Sequence, residues 1–317
     1  MLDIKTEVLK AESRIRTHIR ETPLDFSVPL SQLTHANLYL KCENLQYTGS
    51  FKVRGALNAL LSLSKKQQNG IVAASTGNHG AAVAYGLHQL NLPGVIFVPE
   101  NVSFVKKENI SFYTDSLQLY GKDCVETELH AIDYAKQHNM VYVSPYNNTE
   151  VIAGQGTLGV ELTRQLESID VLFVPVGGGG LIAGIAGYIK AVSPKTKIIG
   201  CLPENSPVMS ESVKAGKIIS MNTLPTLSDA TAGGIEPNSI TLDLCRDYVD
   251  EFVLVSENEI QAALLTILSM HHLLIEGAAA VALASFLKCA EHFQGKNAVV
   301  ILSGANISLE TLKKVIM

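Results

Sequence analysis

The sequence predicts an α/β protein of two lobes, each built in three layers around a mostly parallel sheet. Short apolar runs of strand length alternate with segments of helical periodicity, and most glycine clusters directly follow an apolar run. Strands that alternate with helices are joined by right-handed crossovers, which bury a parallel sheet between two helical layers. The length of 317 residues is about twice that of a typical domain, which allows two such units.

The first half of the chain predicts the first of the two sheets. Apolar residues at helical spacing predict a leading helix over 5–19, alternation predicts a strand over 37–42, and a helix is expected over 54–63. The elements that follow are the strands 71–74, 95–98, 116–120 and 141–143, and the helix 81–90.

A second series of elements begins after Pro145 and predicts the second sheet. Its members are helices over 156–166, from the glycine run to 191, over 257–271 and over 277–287, and the strands 171–176, 197–201, 251–255 and 298–302. The segment 215–237 is rich in Ser, Thr, Gly and Pro, which predicts mostly loop with a turn at 229–234.

Composition excludes several classes of protein. The net charge of -5 provides no basic surface for nucleic acid, and the longest apolar runs have strand length, so no membrane segment is expected. The amino terminus lacks the pattern of a secretory signal, which predicts a cytoplasmic protein. The cysteines are scattered without a CxxC pair, so we expect neither disulfides nor a zinc site. They are Cys42, Cys124, Cys201, Cys245 and Cys289.

Lys52 is the first candidate catalytic residue. It follows a glycine turn at the start of a predicted helix, and its neighbours Phe51, Val53, Ala56 and Leu57 are apolar. Apolar surroundings lower the pKa of a lysine, as a Schiff-base lysine requires. A single lysine in the first turn of a helix is more often an ordinary surface residue, so the choice depends on the rest of the chain.

The run Gly177–Gly180 lies between a buried strand and a helix and predicts an anion site. Backbone N–H groups at a helix N-terminus bind phosphate without a basic side chain. Gly178, Gly180 and Ala183 also satisfy a dinucleotide fingerprint, with Glu204 at a suitable distance for a ribose. A third interpretation is close packing of helix against sheet.

Two other strand ends carry polar groups. The segment Ser75–Gly80 presents hydroxyl, amide and backbone donors that suit a carboxylate or a phenolic oxygen, although the same residues are also good helix caps. Ser303 follows the last strand and offers a neutral hydroxyl to a heterocycle nitrogen, or is part of an ordinary turn. Ligands bind at the carboxyl ends of parallel strands, so each of these loops is a candidate for the same binding site.

Taken together, these motifs resemble the serine/threonine dehydratase group of fold-type II (tryptophan synthase β-like) pyridoxal-phosphate enzymes. The resemblance spans nearly the whole chain, and the order of the motifs is specific. Further matching segments are Glu21-Thr22-Pro23-Leu24, Lys41-Cys42-Glu43-Asn44-Leu45-Gln46, Val151-Ile152-Ala153-Gly154-Gln155-Gly156-Thr157 and Glu276-Gly277-Ala278.

The resemblance implies a role for each candidate residue. Lys52 would form the Schiff base with pyridoxal 5'-phosphate and transfer the substrate's α-proton. Four further groups would contact the cofactor: Phe51 against the ring, Asn78 at the phenolic oxygen, Gly177, Gly178, Gly179 and Gly180 at the phosphate, and Ser303 at the pyridine nitrogen. The loop that receives the substrate carboxylate would comprise Ser75, Thr76, Gly77 and His79, with Thr76 also a catalytic candidate.

The same resemblance implies the activity and the organisation. We expect β-elimination of a hydroxyamino acid such as L-threonine or L-serine to a 2-oxo acid and ammonia, in a homodimer. A large cofactor-binding domain would comprise residues 1–52 and 148–317, and a small domain residues 53–147. The end of the sequence at Met317 leaves no room for the regulatory domain of biosynthetic threonine dehydratases.

Several alternatives remain open. Serine racemases of this family carry a serine where this chain has Thr76, which favours elimination over racemisation. The loop at 228–236 and the segment Ser303-Gly304-Ala305-Asn306 resemble the ectoine-catabolism dehydratase branch, which leaves the choice of hydroxyamino acid open. A 3-hydroxyaspartate-type dehydratase is a separate alternative. Segment 202–208 lacks the pair of carboxylates that metal-binding relatives use, and no metal site is expected. More distant alternatives are an NAD-dependent oxidoreductase and a catalytically silent ligand-binding protein.

Overall fold

A computed structural model describes residues 3–102 and 104–317. Its α-helices are α1 (Ile4–Ile15), α2 (Val28–Thr34), α3 (Lys52–Ser62), α4 (Asn78–Leu90), α5 (Phe104–Ser111), α6 (Cys124–Gln137), α7 (Thr149–Gln165), α8 (Gly180–Val192), α9 (Val208–Ala215), α10 (Ile240–Tyr248), α11 (Glu257–His271), α12 (Gly277–Cys289) and α13 (Leu309–Ile316). Its strands are β1 (Leu24–Phe26), β2 (Asn37–Cys42), β3 (Ile71–Ala74), β4 (Gly94–Val98), β5 (Leu117–Leu119), β6 (Val141–Tyr142), β7 (Val171–Pro175), β8 (Lys197–Pro203), β9 (Glu251–Val255) and β10 (Asn297–Leu302).

The strands form two sheets, which confirms the predicted two-lobed α/β architecture. The larger sheet has the order β1-β2-β10-β7-β8-β9, and the smaller has the order β5-β4-β3-β6. Strand β1 pairs antiparallel with β2, whereas the other pairings are parallel. The domain boundaries at 52/53 and 147/148 stay a prediction.

Each sheet is covered on both faces, so both lobes have three layers. Leu172 and Val174 of β7 join a core with α1, α7 and α8, whereas the alternate residues Val171 and Phe173 join a core with α11 and α12. In the smaller lobe, α3 and α4 cover one face and α6 covers the other. No helix within residues 3–102 and 104–317 is long and apolar enough to span a bilayer.

Helix α7 differs from its prediction, which placed its start at residue 156. The helix begins at Thr149, where the Asn148 side chain accepts a hydrogen bond from the Val151 N–H at 2.9 Å. A Cβ on Gly154 would lie 2.6 Å from the Arg54 carbonyl oxygen. The predicted start was wrong because Gly154 lies within the helix, where it allows close contact between α7 and α3, and does not form a turn before it.

Several elements of the structure were not predicted: strand β1 and helices α2, α5, α6, α9, α10 and α13. In α6, Asp123 caps the start by accepting from the Glu126 N–H at 2.9 Å. The segment 215–237 is mostly loop, as expected, with a single short 3₁₀ turn at Asp229–Thr231. Its irregular backbone contributes part of the wall of the cavity described below.

A buried network of ion pairs joins α3 to β2 and α7. The Arg54 guanidinium donates to Glu43 at 2.7 Å and to Glu161 at 2.8 Å, and the Lys41 ammonium donates to Glu161 at 2.6 Å. All four side chains have no exposed surface, and the partly exposed Arg16 also donates to Glu161 at 2.6 Å. Burial alone would raise the pKa of Glu161, but Arg54 and Lys41 lower it to about 2.

Removal of the Arg54 side chain should strongly destabilise the chain. Arg54→Ala leaves Glu43 and Glu161 buried without their main partner, and loss of one member of a buried ion pair costs about 3–5 kcal/mol. Urea unfolding followed by circular dichroism measures this change in the free energy of unfolding. Arg246→Ala is the control, because the Arg246–Asp243 pair is exposed and should contribute less than about 1 kcal/mol. Equal losses in the two variants would contradict the structural role of the network.

Candidate active site

A cavity of about 520 Å³ lies between the two lobes, where β3, β7 and β10 end. Ligands of open parallel sheets bind at this end of the strands. The cavity brings together all of the residues that the family resemblance assigns to the cofactor and the substrate. They are Phe51, Lys52, Ser75, Thr76, Gly77, Asn78, His79, Gly177, Gly178, Gly179, Gly180 and Ser303.

Lys52 is the first residue of α3, and it lines the cavity. Its position is fixed by the preceding residue, because the Phe51 N–H donates to the Ser303 carbonyl oxygen at 3.0 Å. The Lys52 Nζ donates to the Pro145 carbonyl oxygen at 2.8 Å. Burial lowers the pKa of Lys52 to about 8, although the nearby Glu276 carboxylate acts in the opposite direction. The Lys52 amine is therefore neutral in roughly one molecule in ten at pH 7.

The glycine run connects β7 to α8 and has the geometry of an anion site. Gly179 has a φ of 86°, which favours glycine, and the first N–H groups of α8 have no partner within the helix. A Cβ on Gly178 would overlap the Tyr146 ring, and one on Gly180 would lie 2.9 Å from the Tyr146 Cα. The small size of the glycines therefore lets Tyr146 pack directly on the loop.

Tyr146 is a site residue that the sequence analysis missed. Its hydroxyl accepts a hydrogen bond from the Glu236 N–H at 2.7 Å, which holds the ring against the glycine run. Glu236 in turn accepts from Ser144 at 3.0 Å and from Asn147 at 2.8 Å. The signal in the sequence was the position of Tyr146 three residues after the end of the predicted strand 141–143.

His79 is neutral and cannot donate from its ring to a ligand. Its Nε2 lies 2.8 Å from the Val143 carbonyl oxygen, so Nε2 carries the hydrogen and the buried Nδ1 is an acceptor. Burial and the nearby Lys52 lower the pKa of His79 to about 3. Because Asn78 and His79 open helix α4, their backbone N–H groups have no intrahelical partner and remain available.

Glu276 is a second residue that the sequence analysis did not assign to the site. It lines the cavity with only 2% of its surface exposed. The Asn78 Nδ2 lies 2.9 Å from its Oε1 and 3.0 Å from its Oε2. Burial raises the pKa of Glu276 to about 7, despite the hydrogen bond from Asn78. Its sequence context, Glu276-Gly277-Ala278, marked a family resemblance but not a contact with Asn78.

Ser303 provides a test of whether an aromatic heterocycle fits the cavity. Its hydroxyl is fully buried and has no hydrogen-bond partner within the described part of the chain. An unpaired buried hydroxyl is costly unless a ligand supplies the partner. Together with the glycine run and Lys52, this hydroxyl suits a ligand that combines a phosphate, an aldehyde carbon and a ring nitrogen.

Comparisons with known proteins agree with this geometry. The model of a family described as pyridoxal-phosphate dependent enzymes matches residues 15–304. An L-threonine ammonia-lyase of Thermotoga maritima is 37% identical over 311 residues, which cover 98% of this chain and 77% of that protein. The processed threonine deaminase isoform 2 of Solanum lycopersicum has a similar structure, with a TM-score of 0.95, 33% identity and coverage of 99% of this chain and 92% of that chain. Maize serine racemase gives a TM-score of 0.92, 30% identity and coverage of 98% and 96%.

The lowered pKa of Lys52 should be measurable in protein freed of ligand. An amine-specific acylating reagent reacts only with the neutral amine, so modification of Lys52 should reach half its maximal rate near pH 8. Mass spectrometry of proteolytic peptides gives this rate at each pH, with the exposed Lys313 of α13 as the comparison in the same digest. A rate at Lys52 that rises only above about pH 10, the range of an unperturbed lysine, would contradict the effect of burial.

Proposed function

We propose that this chain, which belongs to the family of pyridoxal-phosphate dependent enzymes, converts L-threonine or L-serine to the corresponding 2-oxo acid and ammonia. The observation that carries the proposal is the meeting of Lys52, the glycine run and the unpartnered Ser303 hydroxyl in one cavity. The similarity to an L-threonine ammonia-lyase along 98% of the chain supports the same reaction.

The residues of the cavity fit the cofactor of the family. When bound, pyridoxal phosphate supplies an electron-withdrawing ring that stabilises negative charge at the substrate's α-carbon. We assign the phosphate to the N–H groups of Gly177–Gly180, the ring face to Phe51 and the ring nitrogen to the Ser303 hydroxyl. Lys52 Nζ would bond to the aldehyde carbon, and Asn78 Nδ2 would donate to the phenolic oxygen. With a neutral hydroxyl at its nitrogen, the ring withdraws electrons less strongly than it would with a carboxylate at the same position.

Lys52 also serves as the base of the reaction. Its amine removes the proton of the substrate's α-carbon, and a pKa of about 8 lets it both accept and return a proton near neutral pH. The Pro145 carbonyl oxygen, 2.8 Å from Nζ, orients the amine. The electron pair left by the α-proton forms the new Cα–Cβ double bond, and the β-hydroxyl leaves as water with the proton that Lys52 returns.

The loop before α4 holds the substrate by its carboxylate. The backbone N–H groups at the start of α4 point their partial positive charge toward this position. Ser75 and Thr76 add hydroxyl groups, and Gly77 leaves open space because no atom lies within 4 Å of its hypothetical Cβ. His79 takes part through its backbone, since its ring N–H is committed to Val143.

Other activities have weaker support. Maize serine racemase is similar in structure, but racemisation needs a second acid, for which Thr76 is the candidate in this chain. The comparison of substrates described below also tests whether the enzyme uses 3-hydroxyaspartate. A dinucleotide site has no use for Lys52 and Ser303, and a silent binding protein has no need of a lysine with a lowered pKa.

We also propose that the active form is a homodimer. Large apolar side chains are exposed in one region of the larger lobe, where the Ser27 hydroxyl and His271 share a hydrogen bond of 2.9 Å and the Asn44 side chain donates to the Leu274 carbonyl oxygen at 3.2 Å. An exposed apolar region of this kind is typical of an interface between subunits. Its members are Phe26, Val28, Leu33, Met270 and Leu274, with 47, 54, 65, 46 and 43% of their surface exposed.

The cytoplasm is the proposed location. Cys42, Cys201, Cys245 and Cys289 are free thiols, which is usual in a reducing compartment. The Cys124 side chain lies outside the described part of the structure. The domain division is proposed as predicted, with one boundary at the first residues of α3 and the other between β6 and α7.

Lys52→Ala should abolish the visible absorption band of the bound cofactor and the release of 2-oxo acid and ammonia. Assays with L-threonine, L-serine and 3-hydroxyaspartate identify the substrate, and chiral analysis of the amino acid that remains detects racemisation. Lys313→Ala removes an exposed lysine of α13 and serves as the control with unchanged turnover. Full activity of Lys52→Ala, or release of no oxo acid by the unchanged protein from any of the three, would overturn the proposal.

A further inference from the structure

The amide of Asn78 is held from both ends within the cavity wall. Its Nδ2 donates to the Glu276 carboxylate, with 2.9 and 3.0 Å to the two oxygens. Its Oδ1 accepts from the Asn306 Nδ2, which also donates to the Thr48 carbonyl oxygen at 3.0 Å. These four residues form a chain of hydrogen bonds that we call the Asn78 chain.

The Asn78 chain has only one possible direction. The Thr48 carbonyl oxygen can only accept, so the group of Asn306 that contacts it is the amide nitrogen. That nitrogen also contacts Asn78, whose facing atom must therefore be its oxygen. The Asn78 nitrogen then faces Glu276, which presents an acceptor oxygen whether or not it carries a proton. Rotation of the Asn78 amide by 180° would place its nitrogen against the Asn306 nitrogen, so that two donors face each other.

The backbone holds the two ends of the chain in register. The Glu276 N–H donates to the Gly304 carbonyl oxygen at 2.9 Å, and the Ala305 N–H donates to the Gly49 carbonyl oxygen at 2.8 Å. A Cβ on Gly304 would lie 2.6 Å from the Glu276 Oε1, so only glycine leaves room for the carboxylate. Glu276 thus occupies a site shaped for it beside Ser303.

We propose that Glu276 and Asn306 are positioning residues that fix the Asn78 amide with its donor end toward the cofactor. This inference rests on the proposed function, in which Asn78 Nδ2 donates to the phenolic oxygen of pyridoxal phosphate. Asn78 Nδ2 has two hydrogens, so that when one is donated to Glu276 the other can be donated to the cofactor. A purely structural role would require only that residues 78 and 276 hydrogen-bond to each other, in either direction.

An exchange of the two functional groups separates positioning from structure. In the double variant Asn78→Asp/Glu276→Gln, residue 78 still accepts from Asn306, and residues 78 and 276 still share a hydrogen bond with one negative charge between them. The donor at position 78 is lost, and the negative charge moves from residue 276 to residue 78. Asn78→Asp alone places two carboxylates against each other, so it should lower the thermal midpoint, and the added Glu276→Gln should restore it.

The readouts are the thermal midpoint, the dissociation constant of pyridoxal phosphate by equilibrium dialysis, and the pH dependence of the visible absorption band. We expect the double variant to recover the thermal midpoint but to bind the cofactor about tenfold or more weakly, as loss of a hydrogen bond to a charged oxygen predicts. Its absorption band should also titrate at a changed pH. Recovery of wild-type affinity and absorption together with stability would overturn the inference.

A milder variant covers the case in which the double variant does not fold. Asn306 is exposed at the rim of the cavity, so Asn306→Ala should leave the thermal midpoint unchanged while it frees the Asn78 amide to rotate. Cofactor affinity should fall about threefold or more, and an unchanged affinity would contradict the role of Asn306. Failure of the unchanged protein to form the visible band would instead overturn the proposed function, which keeps the two failures distinct.

Discussion

The buried ion pairs around Arg54 are the constraint on which the site depends. They join α3 to β2 and α7 with no exposed surface on any of the four charged side chains. Charges this deeply buried are tolerated only when fully paired, so the position of α3 relative to the larger sheet is narrowly defined. Because Lys52 is the first residue of α3, the network also defines where its amine reaches the cavity.

The parallel sheets account for the remaining geometry. Strands β3, β7 and β10 bring three loops of different lobes to one cavity, and the two lobes share it. The loops supply different chemistry: free N–H groups from the glycine run, a neutral hydroxyl from Ser303 and helix-start donors before α4. A neutral acceptor ring at His79 and a buried carboxylate at Glu276 complete a site that is polar but contains few permanent charges near Lys52.

Local sequence patterns predicted the strands and the residues with backbone roles, but not the contacts between distant side chains. Strands β2, β3 and β9 have the predicted bounds. Strand β3 is buried along its whole length, and in β2 buried and less buried residues alternate over its first half, as its sequence pattern predicts. The predicted start of α7 was wrong, because the sequence alone does not distinguish a glycine that lets two helices pack closely from a glycine in a turn. Tyr146 and Glu276 were missed because their partners Glu236 and Asn78 are far away in the sequence, and only the fold brings them together.

Identification of the lysine that carries the cofactor tests the central claim most directly. Borohydride reduction of the protein loaded with pyridoxal phosphate makes the link to the lysine permanent, and mass spectrometry of the digested protein then locates the label. We expect the phosphopyridoxyl group on Lys52, in the peptide that contains Thr48–Ala56. A label on another lysine, or a catalytically active protein without label at Lys52, would contradict the assignment of the cavity as the active site.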